Sequence, residues 1–403
     1  MFEIIIYILL ILSLIYGFYF LIMASGVFRK KKCEIDNNKK NHFAILIAAR
    51  NEETVIKNLI NSLKKQNYPS NKYDVYVIVN NCTDNTLEVA KNVGAKIIEC
   101  KQKVKSKGEV LKYTFNKLKS NDEIDAYVIF DADNVVHREF LNKMNDSINY
   151  GYEVVQGFRD TKNICDNWLS TSYAILYYIQ SLFINKSRFN FGMSSFLNGT
   201  GFMVKKETID RYGYDPKTIT EDIEYTAICA INGIKIAFNE NAITYDEQVT
   251  DFKSSLKQRK RWSFGAIQCL KNYTGSLIKE GIKNKRFECF DVIIFYFGII
   301  FHVLFTIVSL IGIFYNVFYL NDFNSMDVVI YFIMFLINYF IGVIFRMIVI
   351  KKCNKSIKEN IWGILLFDLF VLSWFPINFI CLFIKDCNWD HIKHDRNVDT
   401  LNI

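Results

Sequence analysis

Tyr127-Val-Ile-Phe-Asp131-Ala-Asp133 is an apolar run of strand length that ends on two aspartates one residue apart, and the class of the whole chain turns on what that pair is for. Residues of an extended chain alternate faces, so Asp131 and Asp133 are expected to point the same way just beyond the strand's carboxyl end. In an open α/β sheet that crevice is where ligands sit, and hard divalent cations take carboxylate and phosphate oxygens there. Aspartate is equally at home in turns and helix caps, so the neighbouring sequence has to assign the pair.

Upstream, Phe43 to Ala48 is a second continuous apolar run, followed by Arg50-Asn51-Glu52-Glu53, with Asn51 placed to cap a helix reaching Gln66. The unit repeats as a strand over 75–79, a polar turn from Asn80 to Asp84, a helix over 85–93, a strand over 96–99 and a helix over 107–118. Strands alternating with helices at this spacing imply right-handed βαβ units and a mainly parallel sheet. Lys107-Gly108 reads either as a helix start that holds a phosphate or as the end of a solvated basic loop. Downstream, Asn198-Gly199-Thr200-Gly201 precedes a short strand, its glycines serving a close backbone approach or a simple tight turn. Thr220-Glu221-Asp222 reads as an N-cap with an acidic first turn, a pattern that ordinary dipole complements share. Gln258, Arg261 and Trp262 fall at i, i+3 and i+4 of a helix over 252–270 and so share one face. Tryptophan suits stacking on a sugar ring and arginine a bidentate grip on phosphate, although an amphipathic helix on a membrane surface has the same pattern.

The chain has 403 residues, 51% of them hydrophobic, and the apolar residues cluster at 4–28, 290–320, 328–350 and 361–384. Each cluster is long enough to cross a bilayer core of about 30 Å. The first exceeds a signal-peptide core and is followed by Arg29-Lys-Lys-Lys32, so it reads as a retained anchor. That cluster, with Lys351-Lys352, Lys355 and Lys358, marks cytoplasmic loops, and the loop from Asn321 to Asp327, without basic residues, suits the outside. The expected layout is an anchor over 1–30, a cytoplasmic domain over 40–250, an interfacial helix region over 251–285, about three spans over 286–385 and a polar tail over 386–403. Ten cysteines and five histidines lack metal-ligand spacing, and the net charge of +8 sits largely beside the spans. With no basic face on the soluble region and no recognition motif, a nucleic-acid partner is not expected. Abundant Lys, Asn and Ile suggest an AT-rich bacterial genome, and hence a multi-pass protein of a bacterial cell membrane.

Taken in order, these motifs resemble the inverting family 2 glycosyltransferases, and within them the membrane-embedded polysaccharide synthases related to cellulose, chitin and hyaluronan synthases. The resemblance covers roughly residues 43 to 272. It implies a GT-A fold, Rossmann-like and α/β, inserted as a cytoplasmic domain between transmembrane helices. It also implies a nucleotide-sugar donor and Mg²⁺ or Mn²⁺ at Asp133, with Asp131 near the metal or the donor's ribose. Asp222, in the Thr220-Glu221-Asp222 motif, resembles the general base. Asn51, Glu52, Asn80, Asp84, Lys107, Asp131 and Arg261 would serve the donor, and Gln258, Trp262, Gly199, Thr200 and Gly201 the acceptor. Asn80 stands where the family has an acidic residue against uracil, so UDP-sugar is expected while another base stays open. The gating loop of the best-known synthases is missing after Trp262, and the tail from Trp389 to Arg396 is either its substitute or a disordered polar segment.

Three functional readings follow. The first is a processive synthase that exports its polysaccharide, with a homo-oligomer or accessory export subunit to widen a narrow channel. The second adds one sugar to a glycolipid or other lipid-linked acceptor at the inner leaflet. The third is an inactive nucleotide-binding scaffold. Asp368 and Pro376 in the last apolar cluster suggest a kinked or re-entrant segment lining a polymer channel.

Overall fold

The computed structural model of the protein describes residues 2–29, 39–318, 325–387, His394 and Arg396. The basic run at 30–32, the loop at 321–324 and most of the tail at 389–396 lie outside the described residues. In chain order the elements are α1 (Phe2–Ser25), β1 (Phe43–Ala49), α2 (Ile56–Lys64), β2 (Tyr73–Asn80), α3 (Thr86–Asn92), β3 (Lys96–Cys100), α4 (Lys107–Leu118), β4 (Ala126–Asp131), β5 (Val135–Val136) and α5 (Phe140–Asn149). Then come β6 (Val154–Thr161), α6 (Trp168–Ile179), α7 (Ser187–Asn190), β7 (Phe202–Lys205), α8 (Lys206–Tyr212), α9 (Glu221–Asn232), β8 (Ile236–Asp246) and α10 (Phe252–Lys283). The chain closes with α11 (Phe287–Phe318), α12 (Ser325–Lys352), α13 (Ile361–Leu372) and α14 (Trp374–Cys381).

Eight strands form one sheet in the order β3-β2-β1-β4-β7-β6-β8-β5. The first four run parallel, as the βα spacing predicts, and β7 then inserts antiparallel between β4 and β6. The strand period explains the layers. Phe43, Ile45 and Ile47 of β1 and Val128 and Phe130 of β4 meet Leu59, Ile60 and Leu63 of α2 and Phe140 and Met144 of α5. Ala44, Leu46, Tyr127 and Ile129 face the other way, onto Val110, Leu111 and Phe115 of α4 and Tyr225 and Cys229 of α9. Both sheet faces are covered, so the α/β GT-A architecture expected from the sequence is the one observed.

Among the described residues four helices are long and apolar enough to cross a membrane, over Tyr7–Phe28, Phe287–Tyr315, Met326–Lys352 and Ile361–Cys381. Ion pairs involve charges within them, where a lone charge would be costly. Arg188 of α7 grips Asp291 of α11 through two bonds of 2.8 and 2.9 Å, and Arg346 grips Asp368 at 2.7 and 3.0 Å. The last of the four is broken between α13 and α14 at Ser373, just ahead of Pro376, which bears out a kink there. Asp368 is committed to Arg346 and does not border the cavity described below.

Several local expectations are corrected. Asn51 is no helix cap: it sits at φ 59° and its side chain accepts from the Thr83 amide, so α2 starts at Ile56. Thr220 occupies the N-cap position of α9 without a side-chain capping bond. The helix carrying Gln258 runs past the expected 270 to Lys283 and packs against α9, α11 and α14. Finally, α6 continues through a π-helical tract, Gln180–Lys186, that no periodicity announced.

Candidate active site

The carboxyl ends of β1, β2 and β4 open onto one cavity of about 450 Å³. Glu52, Asn80, Lys107, Asp131, Asp133, Gly199, Thr220, Glu221, Asp222, Gln258, Arg261 and Trp262 all border it. Four other residues named from the sequence do not, each because it holds the scaffold together. Asn51 ties its turn to Thr83 across 2.8 Å. Asp84 accepts from the Glu53 amide at 3.1 Å and from the Thr86 hydroxyl at 2.6 Å. Thr200 is buried, accepts from the Asp131 amide at 3.0 Å and donates to Asn134. Gly201 donates to the Ile129 carbonyl at 2.9 Å, and a Cβ on it would lie 2.6 Å from Thr244 Cγ2.

Lys107 is the hub of the acidic wall. Its ammonium donates to Asp131 Oδ1 at 2.5 Å and to the Gly199 carbonyl at 2.7 Å, and stands 3.9 Å from Glu221. Burial alone would lower its pKa, and the carboxylates of Asp131 and Glu221 outweigh that and raise it. At this helix start Ser106 accepts from the Glu109 amide at 3.3 Å, and Glu109 accepts from the Lys105 amide at 2.7 Å. Gly108 has a different use: a Cβ there would lie 2.8 Å from both Glu221 Cβ and Pro216 Cβ, so its absence lets α4 meet α9. Burial raises the pKa of Glu221, with the Asp222 charge adding to it and Lys107 opposing. Asp222 is also raised by burial, against the Ile223 amide and Lys107.

The expected metal pair separates in the structure. Asp131 is engaged by Lys107, whereas Asp133 accepts from the Glu247 amide at 2.9 Å and the Asn134 side chain at 3.2 Å. Among the described residues no three His, Cys, Asp or Glu side chains form a self-sufficient metal site. One carboxylate bordering a cavity nevertheless fits a cation of the Mg²⁺ or Mn²⁺ kind that draws its other ligands from a diphosphate and water.

Residues missed in the sequence complete the walls. Arg159 pairs with Asp246, donates to the Asn198 carbonyl at 2.8 Å and lies 3.8 Å over the Tyr177 ring. Glu247 follows an acidic strand end much as Asp131 closes β4, the one signal that could have flagged it. The tail, which the sequence offered as a substitute for a gating loop, brings His394 Nδ1 within 3.1 Å of Glu52 Oε2, and its Arg396 donates to Asp166 at 2.9 Å. Burial would lower the His394 pKa, but Asp133, Glu52 and Glu247 raise it to about 9. Trp374 enters from the kinked apolar segment, its indole N–H donating to Ser263 at 3.0 Å and its ring 6.3 Å from that of Trp262. Leu176, Ile179, Ile184 and Phe295 continue this apolar wall.

Known proteins resemble this chain. Residues 40–265, more than half of the chain, match the family model described as glycosyltransferase like family 2. A probable glycosyltransferase of Bacillus subtilis (strain 168), YdaM, is 23% identical over 375 residues, covering 87% of this chain and 83% of that protein. The beta-monoglucosyldiacylglycerol synthase of Synechocystis sp. is 24% identical over 235 residues, 57% of this chain and 48% of its own length, so the chain spans about half of that relative. Among solved structures, the mannosyltransferase PcManGT from Pyrobaculum calidifontis, in complex with GDP-Man and Mn²⁺, superposes with a TM-score of 0.66 at 13% identity, over 96% of this chain and 100% of that one. That likeness concerns the fold. The family match and the cavity at the strand ends lead to one statement: the chain belongs to the family 2 glycosyltransferases.

Proposed function

We propose that the chain is an inverting glycosyltransferase that moves a sugar from a nucleoside-diphosphate donor to a hydroxyl carried by a membrane lipid. The observation that carries this reading is the shared cavity: one enclosure is bordered both by Asp131, Asp133 and Asp222 and by Ile179, Ile184, Phe295 and Trp374, on or beside the candidate spans. A water-borne acceptor has no use for that apolar wall, whereas a lipid brings its hydroxyl to Asp222 with its hydrocarbon behind. The name of the Synechocystis relative, a beta-monoglucosyldiacylglycerol synthase, supports the lipid acceptor.

At the nucleoside end, the Asn80 amide donates to the carbonyls of Cys100 and Gln102, while its buried Oδ1 has no partner among the described residues. Asn80 thus offers an acceptor, which suits the imide N–H of uracil or the lactam N–H of guanine. A divalent cation on Asp133 neutralises diphosphate charge when bound. Arg261 meets the charge that grows on the departing diphosphate. Asp222 takes the proton of the acceptor hydroxyl as its oxygen attacks the anomeric carbon opposite the diphosphate. One carbon–oxygen bond forms as the other breaks, and the configuration inverts. The raised pKa of Asp222 brings it nearer the operating pH, which makes it the better base. Gln258 and Trp262 hold the acceptor in line.

The same face of Gln258, Arg261 and Trp262 favours a second reading, repeated addition to a growing polysaccharide, alone or with a second subunit. We place the catalytic domain on the cytoplasmic side, after the basic residues that flank the spans. Purified full-length protein in nanodiscs containing diacylglycerol, given a panel of UDP- and GDP-sugars with Mn²⁺ or Mg²⁺, tests the proposal. A glycolipid bearing one sugar is the expected product. A ladder selects the second reading, and silence across the panel overturns both in favour of a scaffold.

A further inference from the structure

We infer that Asn198 determines specificity for the sugar, its side-chain amide taking a pair of neighbouring hydroxyls on the sugar the donor carries. The inference rests on the glycosyltransferase reading above and adds the group that recognises the sugar itself.

Asn198 is only 6% exposed and borders the cavity. Its main chain is fixed from two sides: the amide donates to Gln156 Oε1 at 3.1 Å, and the carbonyl accepts from Arg159 at 2.8 Å. Gln156 is itself anchored to the Thr200 carbonyl at 2.9 Å, and Arg159 to Asp246. Yet both polar atoms of the Asn198 side chain are buried without a partner among the described residues. A buried amide left unpaired on both atoms is costly in an empty protein, and such a group is kept where a ligand completes it.

The position says which ligand. The next residue, Gly199, has φ +90°, and a Cβ on it would stand 3.3 Å from Asp222 Oδ2, so Asn198 is one residue from contact with the proposed base. The sugar undergoing transfer must lie beside Asp222. An amide presents a donor and an acceptor side by side, and two adjacent hydroxyls return an acceptor and a donor. A phosphate would satisfy the N–H and leave Oδ1 facing an anion, and a hydrocarbon would satisfy neither.

The test uses full-length protein in nanodiscs, with Mn²⁺, and isothermal titration of UDP-glucose, its 2-, 3-, 4- and 6-deoxy analogues, GDP-mannose and the two free diphosphates. Wild type and Asn198→Leu, a substitution of matched size, are compared. Wild type is expected to prefer the complete sugar over at least one deoxy analogue by tenfold or more, and Asn198→Leu to reduce that ratio to near unity while free diphosphate binds as before. Because the variant removes an unpaired buried amide, the ligand-free protein is expected to melt no lower than wild type. A preserved ratio overturns the inference, and so does a lower melting temperature, which would show that the amide already has a partner. Failure of wild type to bind any nucleotide or nucleotide sugar would instead strike the glycosyltransferase reading.

Discussion

Lys107 Nζ lies 2.5 Å from Asp131 Oδ1, and through this contact the end of β4 is joined to the acidic start of α9. One ammonium thus offsets three carboxylates, those of Asp131, Glu221 and Asp222. Lys107→Met removes the charge that holds the Asp222 pKa down against burial. The acid limb of kcat/KM is expected to move to higher pH by on the order of one unit, because the base loses its proton later. A pH–rate profile of the variant checks this, and an unmoved limb would show that Lys107 is remote from the base electrostatically.

Glu221 has its folded pKa raised by burial, so the native state holds its proton more tightly than the unfolded chain does. The sign follows: the stability from this group is present below the ordinary glutamate value of about 4.3 and is lost as pH rises through the higher folded value. Glu221→Gln cannot ionise and loses nothing over that range. Its melting temperature is expected to match wild type in acid and to exceed it at about pH 8. A variant that melts lower than wild type at the alkaline end contradicts the assignment.

Glu224 is fully buried and accepts from the amides of Lys217 and Thr218, each at 2.8 Å, and from the Tyr273 hydroxyl. It fixes the loop that leads into Thr220 and Asp222. Glu224→Ala orphans two backbone donors, and a loss of about 2–5 kcal/mol with a fall in kcat is expected. Chemical denaturation and kinetics on one preparation measure both. A loss below about 1 kcal/mol would mean that the loop has other anchors.

How much of this was legible in the sequence depended on whether local pattern or chain crossing made the contact. The apolar runs of β1 and β4 and the helix over 107–118 announce themselves, because a strand buried on both faces and a capped helix each leave a local signature. The grouping of Asp131, Asp222 and Arg261 was visible only through motif order. β6 and β8 carry Arg159 and Asp246, and they were not foreseen. Their pairing shifts register between Gly157 and Phe158, and β8 is exposed at Glu240 and Asn241, so neither shows a clean alternation. Asn198 was passed over within a glycine loop because unpaired polar atoms can be recognised only after every neighbour is placed. Trp374 reaches the cavity across a long stretch of chain and carries no local mark of it, whereas His394 lies in the tail that the sequence offered as a gating-loop substitute.

Arg259 shows how the kink is used. Fully buried, it donates to the Phe370 carbonyl at 3.0 Å and to Ser373 Oγ at 2.8 Å, with Trp374 stacked 5.3 Å away. The guanidinium thereby takes up a carbonyl freed where α13 ends. Arg259→Ala should release Trp374 from the cavity wall and raise KM for a lipid acceptor by about tenfold, with donor KM unchanged. Steady-state kinetics with each substrate varied in turn decides it, and an equal rise in both constants would assign Arg259 to general stability.

The central claim is that Asp222 is the base of a sugar transfer. Turnover of Asp222→Asn, with donor binding measured on the same sample, tests it most directly. The account predicts that donor still binds within a few-fold of wild type while transfer falls by about 10²–10⁴-fold, the usual worth of a positioned base. Transfer at the wild-type rate by a variant that still binds donor would contradict it.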